Sequence, residues 1–343
     1  MSHSPLSKLM GESRKKLIPL TALFELTYGC NLKCKYCYIT KQKKRELSTA
    51  EIKKILSQLA DAGCLYLTMS GGELFTRKDA VEIIKYARKK HFAVTVFTNG
   101  TLIDEGLAQK LVPLALQEIG ITFWGAGPQT HDRITGVRGS FRKSLEAVKL
   151  LKSKGIRVVI KSTLTSENLA QYPGIIKLAK SAGCEFSFDP VVTGSAAHPK
   201  KNLKYRLNRR QLKKLFSDKR VYPQSHVYGK PVRPSAQKKT SPPVCDAGIS
   251  FLSISAYADV YPCVQLPLKM GNLRNNSLKK IWKSKKFTYL REAMPMLSVS
   301  CASCRFVDQC TRCPGLALSE EGDMIGPSHI ACEIAKAVQD IRK

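Results

Sequence analysis

"ELTYGCNLKCKYCYITK", residues 25–41, sets Cys30, Cys34 and Cys37 within eight positions in a C-x3-C-x2-C spacing. Three thiols are an awkward number. A structural zinc takes four ligands, and disulfides take pairs. The stretch begins inside a β-rich run, "ALFELT", so the thiols emerge from the first strand of the chain. Further runs of this kind follow: "LYLTMS", "AVTVFTN", "EIGITFW", "RVVIKST" and "EFSFDP". Helical stretches lie between them. "STAEIKKILSQLADAG" opens on a Ser/Thr cap with Glu51 placed for a capping box. "SFRKSLEAVKLLKSKG" reads as the same build and ends on a helix-stopping glycine. Six such βα units predict an α/β fold with a parallel sheet. No dinucleotide-binding glycine fingerprint follows the first strand. A partial (β/α)6 barrel of the TIM type over residues 21–198, after an N-terminal tail of 1–20, is therefore expected. Chemistry in such barrels sits at the carboxyl ends of the strands, the rim where the three cysteines fall.

The chain has 343 residues, enough for that barrel and a smaller appendage. Neither a signal-peptide run nor a stretch of roughly 20 apolar residues is present, so a soluble, cytoplasmic protein with no membrane partner is expected. In that compartment clustered cysteines read as metal ligands rather than disulfides. The formal net charge is +31, and anionic clusters would remove roughly 4 of it. Such a field attracts acidic partners: nucleic acid, an acidic peptide or a phosphorylated substrate. Residues 199–244 differ from the barrel. Positions 199–240 carry 14 Lys or Arg against one acid, Asp218, and read as a solvated basic connector or a basic binding surface. From Cys245 to Cys332 lie seven cysteines, which makes residues 245–343 a second, metal-dense module.

An iron–sulfur cube held by three thiolates keeps one iron free of protein ligands and able to chelate a small molecule. The Cys30–Cys34–Cys37 spacing, with aromatic Tyr36 before the last cysteine, resembles the signature of the radical S-adenosylmethionine (radical SAM) enzymes. The resemblance implies that the open iron binds the amino and carboxylate groups of S-adenosylmethionine. Reductive cleavage of the sulfonium then gives a 5′-deoxyadenosyl radical, which abstracts a substrate hydrogen. The resemblance also carries cofactor contacts to Tyr36 and to Gly71, Gly72 and Glu73. These last three, in "MSGGELF", are similar to the family's GGE motif at the methionine ammonium. Glycines there let the backbone approach the cofactor closely. Thr98 and Asn99 of "FTNG" fall near the ribose, Thr122 at the family's fourth-strand serine, and Arg138 near the cofactor carboxylate. His131 and Asp132 read as helix-opening, structural residues.

In the second module, "CDAGISFLSISAYADVYPC", "GNLRNNSLKKIW" and "CASCRFVDQCTRC" resemble the SPASM extension of these enzymes. That implies two auxiliary 4Fe–4S clusters beside the one that binds S-adenosylmethionine. Cys301, Cys304, Cys310 and Cys332 would hold the outer cluster, and Cys245, Cys263 and Cys313 the inner one. Three departures stand out. Ala258 replaces a usual glycine, the final pair is C-x2-C, and no further cysteine adjoins Cys245. Either Asp246 or another oxygen ligand completes the inner cluster, or it too keeps an open iron. The remaining Cys64 and Cys184 read as core residues.

The expected function is radical SAM/SPASM oxidation of a ribosomally made peptide, with haem-precursor side-chain processing or enzyme maturation as alternatives. Sulfatase maturation is disfavoured, because Val264 and Gln265 stand where an acidic base would follow the "VYPC" cysteine. Too few residues precede the barrel for a precursor-binding domain, so a separate recognition protein or the basic surface would read a peptide's leader. A flavodoxin- or ferredoxin-type electron donor is also implied. The rival from another class is a basic, zinc-containing nucleic-acid-binding protein, since C-x2-C pairs are typical zinc knuckles. Metal analysis separates the two: iron with acid-labile sulfide and a brown colour is expected, and zinc with no visible absorption would overturn the enzyme reading.

Overall fold

The computed structural model describes residues 5–195, 198–221, 245–296, 298–307 and 310–342. All six expected strands form: β1 (Thr21–Glu25), β2 (Tyr66–Ser70), β3 (Ala93–Thr98), β4 (Glu118–Thr122), β5 (Val158–Thr163) and β6 (Glu185–Asp189). Residues alternate along them. Phe24, Met69, Val96 and Ile121 are fully buried, while the opposite parity carries Leu23, Phe97, Thr122 and Lys161 to a cavity. The sheet order is β6-β5-β4-β3-β2-β1, with three further strands beyond β1, and β1 to β6 pair in parallel with their chain neighbours. The winding never reverses, as a doubly wound sheet would, and this is the path of a partial barrel.

Local chemistry sets the helices between the strands. In α2 (Thr49–Asp61), which follows α1 (Pro5–Lys15), Ser48 and Glu51 close the capping box read from the sequence. The helix over 140–153 (Ser140–Ser153) departs from expectation, because its N-cap is Gly139 rather than a serine. The cap comes from the preceding helix (Pro128–Thr135). Asp132 accepts from the backbone of Gly139 (2.6 Å) and Phe141 (2.8 Å) and from the Ser140 hydroxyl (2.9 Å). These bonds hold the carboxyl of Asp132 below the usual range against the cost of its burial.

The cysteine-rich module continues the barrel's own sheet. β7 (Phe251–Ile254) adds in parallel to the free edge of β1, with Thr21 opposite Phe251; β8 (Asp259–Tyr261) and β9 (Gly271–Asn272) follow in antiparallel order. The residues expected as an N-terminal tail include a helix, Pro5–Lys15, whose Arg14 grips Asp246 with two bonds of 2.5 and 2.8 Å. Within the basic stretch, the helix Arg209–Ser217 buries Leu212, Leu215 and Phe216, and its Arg209 pairs with Asp340 of the helix His329–Arg342. The rest of that stretch, 222–244, lies outside the described residues. Among the described residues no helix is long and apolar enough to cross a membrane.

Arg206 and Glu320 form a two-bond ion pair with both side chains almost completely buried, one bond 2.7 Å long. Arg206 also donates to the Val192 carbonyl (3.0 Å), so the pair ties the segment after β6 to the second module. Breaking such a pair from one side leaves a buried charge alone. Glu320→Ala should therefore lower unfolding stability by about 3–5 kcal/mol in chemical denaturation, and Arg206→Met with Glu320→Leu together should recover most of it.

Candidate functional site

A cavity of about 1080 Å³ opens at the carboxyl ends of the strands and reaches across to Val264 and Gln265, beside Cys263. Cys30, Cys34, Cys37, Tyr36, Gly71, Gly72, Thr98, Asn99 and Thr122 all line it. Glu73 and Arg138, named with them from the sequence, do not. Arg138 is exposed at the outer corner of the turn that Asp132 gathers.

Glu73 is 1% exposed and does its work inside the rim. Its carboxylate accepts from the Thr98 hydroxyl (2.8 Å), the Asn99 backbone (2.7 Å) and the Phe75 backbone (3.0 Å). The two glycines before it also answer to protein. A Cβ on Gly71 would stand 2.2 Å from the Thr27 carbonyl oxygen, and one on Gly72 2.2 Å from that of Gly29. Gly71 has φ +141°, a region that favours glycine. Their bareness lets the loop after β2 bond to the loop after β1, from Gly72 N to Thr27 O and from Glu73 N to Gly29 O, both 2.8 Å. Close approach to the cysteine loop's own backbone is thus the demand that these glycines meet. Asn99 closes the circuit, donating from its side chain to the Asn31 side chain at 2.9 Å.

The thiols fall into three electrostatic groups. Burial pushes Cys34 up to about 12, and Cys37 and Cys30 push it further the same way. Burial likewise takes Cys245 to about 12, reinforced by Cys313 and Cys263. Cys310 goes to about 11, by burial and then by Cys332, Cys301 and Cys304. Crowded, buried thiols ionise poorly alone, and a cationic iron–sulfur core in their midst would stabilise the thiolates. By donor chemistry these three sets of thiols suit iron–sulfur clusters, although among the described residues no three such side chains converge tightly enough to hold a single metal ion. Asp246 is already engaged by Arg14 and by the Ser250 hydroxyl (3.1 Å), against a role as the inner cluster's fourth ligand. Cys64 is in the core as expected; Cys184 is half-buried, packs against the same core and also borders the cavity. His131 has its Nδ1 taken by the Trp124 backbone (3.3 Å), and burial lowers it to about 4, so it is neutral.

Sequence reading passed over Lys161. It lies on the cavity wall with its ammonium 4.6 Å from the centre of the Phe97 ring. Gly120, on the strand between, makes the room: a Cβ there would meet Lys161 Cδ at 2.6 Å and Phe97 Cδ1 at 2.9 Å. Burial lowers the pKa of this amine, with Glu118 and Asp189 opposing.

The radical SAM superfamily profile matches residues 24–179, and the SPASM iron–sulfur cluster-binding domain matches 245–314. An AdoMet-dependent heme synthase of Methanosarcina barkeri is 27% identical, over 90% of this chain and 94% of that protein. The antilisterial bacteriocin subtilosin biosynthesis protein AlbA of Bacillus subtilis is 30% identical, over 86% and 67%. A PqqA peptide cyclase of Bradyrhizobium diazoefficiens is 34% identical over 47% of this chain and 43% of its own. Streptococcus suis SuiB bound to S-adenosylmethionine shares the fold at a TM-score of 0.74 and 16% identity, over 95% of this chain and 81% of that one. The family implies a reductant as well as 4Fe–4S clusters and S-adenosylmethionine. The chain belongs to the radical SAM superfamily and carries a SPASM iron–sulfur domain.

Proposed function

We propose that the protein abstracts hydrogen from a carboxylate-bearing substrate held in the cavity, and that this substrate is an acidic peptide. The observation that carries the reading is Lys161. A cation drawn partly out of water costs free energy unless an anion meets it; Glu118 and Asp189 act on this ammonium from a distance, but among the described residues it has a ring face and no contact ion pair. A substrate carboxylate would fill that role and be oriented by it. Phe97 and Trp124 line the same cavity as apolar wall.

Cys30, Cys34 and Cys37 would hold the cluster that binds S-adenosylmethionine, Cys245, Cys263 and Cys313 the inner auxiliary cluster, and Cys301, Cys304, Cys310 and Cys332 the outer one. When bound, the first supplies the reducing electron for a 5′-deoxyadenosyl radical. The chain itself would place the substrate: Thr122 faces the cavity, and the loops carrying Gly71, Gly72 and Asn99 form its rim. The peptide class draws on AlbA, a bacteriocin biosynthesis protein, and on the PqqA peptide cyclase. A second reading, a tetrapyrrole with carboxylate side chains, is favoured by the heme synthases of Methanosarcina barkeri and Nitratidesulfovibrio vulgaris, which match over 94% and 93% of their own lengths.

Anaerobic reconstitution should load roughly 12 iron per chain, and about 8 when Cys30, Cys34 and Cys37 are all changed to alanine, at four per cube. That variant should form no 5′-deoxyadenosine; undiminished formation would sink the assignment. Substrate class is read by mass spectrometry of the products after acidic peptides or an iron tetrapyrrole polycarboxylate are offered separately. Modified peptide is expected, and turnover of the tetrapyrrole alone would select the second reading. With whichever substrate turns over, Lys161→Met should raise KM about tenfold, the worth of one bond to a charged group. An unchanged KM would remove Lys161 from the binding argument.

A further inference from the structure

We propose that Glu25 clamps the three-cysteine loop, its carboxylate being reached by a phenol from each end of that loop. Between Glu25 and Thr49 the chain forms no helix or strand; backbone bonds reach the loop at Thr27 and Gly29 and, between the cysteines, at Lys33 (to Thr135 O, 2.9 Å) and Lys35 (to Ile134 O, 2.9 Å), but none of these joins its two ends. Tyr28, two residues before Cys30, donates its hydroxyl to Glu25 Oε2 at 2.7 Å. Tyr38, one residue after Cys37, donates to Glu25 Oε1 at 2.7 Å. One carboxylate thus gathers both flanks of the loop and stands on the last residue of β1, a strand paired on both edges.

The carboxylate is 5% exposed. Burying it is costly unless strong bonds answer the charge, and two phenol donors, one to each oxygen, provide them. Because these donors come from opposite ends of one loop, the same bonds that satisfy the charge also fix the loop's span. A second grip lies further along. The Tyr28 ring meets Tyr257 edge-on, centroids 5.1 Å apart, and the Tyr257 hydroxyl accepts from the Gln42 backbone N–H (2.9 Å) and donates to the Gln42 carbonyl (3.1 Å). Tyr257 lies in the turn between β7 and β8, so the second module holds the same loop from its other side.

The inference rests on the reading that these thiols carry the cluster that binds S-adenosylmethionine. Its test uses the reconstituted protein and two readouts. The first is the rate at which the electron paramagnetic resonance signal that responds to S-adenosylmethionine is lost to an iron chelator. Tyr28→Phe and Tyr38→Phe should each speed that loss several-fold, and Glu25→Gln about tenfold. Adding both tyrosine changes to Glu25→Gln should speed it no further, because all three remove one device. Signals of the auxiliary clusters and the thermal midpoint should hold. The second readout is amide hydrogen exchange over residues 26–41, which should rise about tenfold in Glu25→Gln and reads the clamp even in a protein without that signal. Unchanged loss and unchanged exchange in Glu25→Gln would overturn the clamp. So would equal acceleration at every cluster with a lowered midpoint, which would make Glu25 an ordinary core residue. A wild type that binds iron but shows no response to S-adenosylmethionine would instead count against the cofactor assignment, with the exchange readout still deciding the clamp.

Discussion

Two backbone hydrogen bonds, from Gly72 N to Thr27 O and from Glu73 N to Gly29 O, bring the loop after β2 against the loop after β1, and the rim of the barrel is built on that contact. It exists because neither Gly71 nor Gly72 has a Cβ: each missing atom would lie 2.2 Å from a carbonyl oxygen. The contact places Glu73 where it can bind Thr98 and the Asn99 backbone at the end of β3. Asn99 then reaches back to Asn31 in the cysteine loop. Three consecutive loops are thereby joined into a closed ring of hydrogen bonds. Each bond is worth on the order of 1 kcal/mol net, but a ring fixes mutual position in a way that separate bonds do not.

Charge is divided unevenly over this frame. The chain is +31 in sum, yet two carboxylates brace the cysteine loop. Glu46 receives the Thr27 hydroxyl and the Tyr28 backbone, and Glu167 receives Lys35, Tyr36 and Arg133. These bonds to Lys35, Tyr36 and Arg133 hold the Glu167 carboxyl down near 2, so it stays ionised through the neutral range. Its stabilising share is present above the ordinary carboxylate pKa and is lost only as pH falls toward that depressed value. The Glu167 side chain is still a quarter exposed, and screening there trims this share.

How far the sequence could be read follows from the range of the forces involved. Strands were legible because β-branched runs and parity act over a few residues, and α2 because Ser48 and Glu51 sit three apart. The cysteine triad was legible because its spacing is local. The cap on the helix over 140–153 was not, since Asp132 lies in the preceding helix and the serine that looks like a cap is already inside. Glu73 was assigned outward to the cavity because its partners Thr98 and Asn99 are some 25 residues away and come near only across the sheet. Lys161 left a trace that could have been followed. A lysine inside "VVIKST" and a glycine inside "EIGITFW" each break strand preference, and neighbouring parallel strands put them against one another.

The module boundary shows the same limit from another side. Composition changes sharply at residue 199, which invites a picture of two beads on a basic string. The structure instead makes β1 common to both, with β2 on one edge and β7 on the other. β1 is also the strand from which the cysteine loop departs, and the turn that follows β7 carries Tyr257, packed on Tyr28 at the loop's start. A strand hydrogen-bonded along both edges cannot shift its end without breaking ladders on two sides. The loop that must hold three thiols at fixed separation therefore hangs from an interior strand of the sheet, and the second module makes it an interior strand.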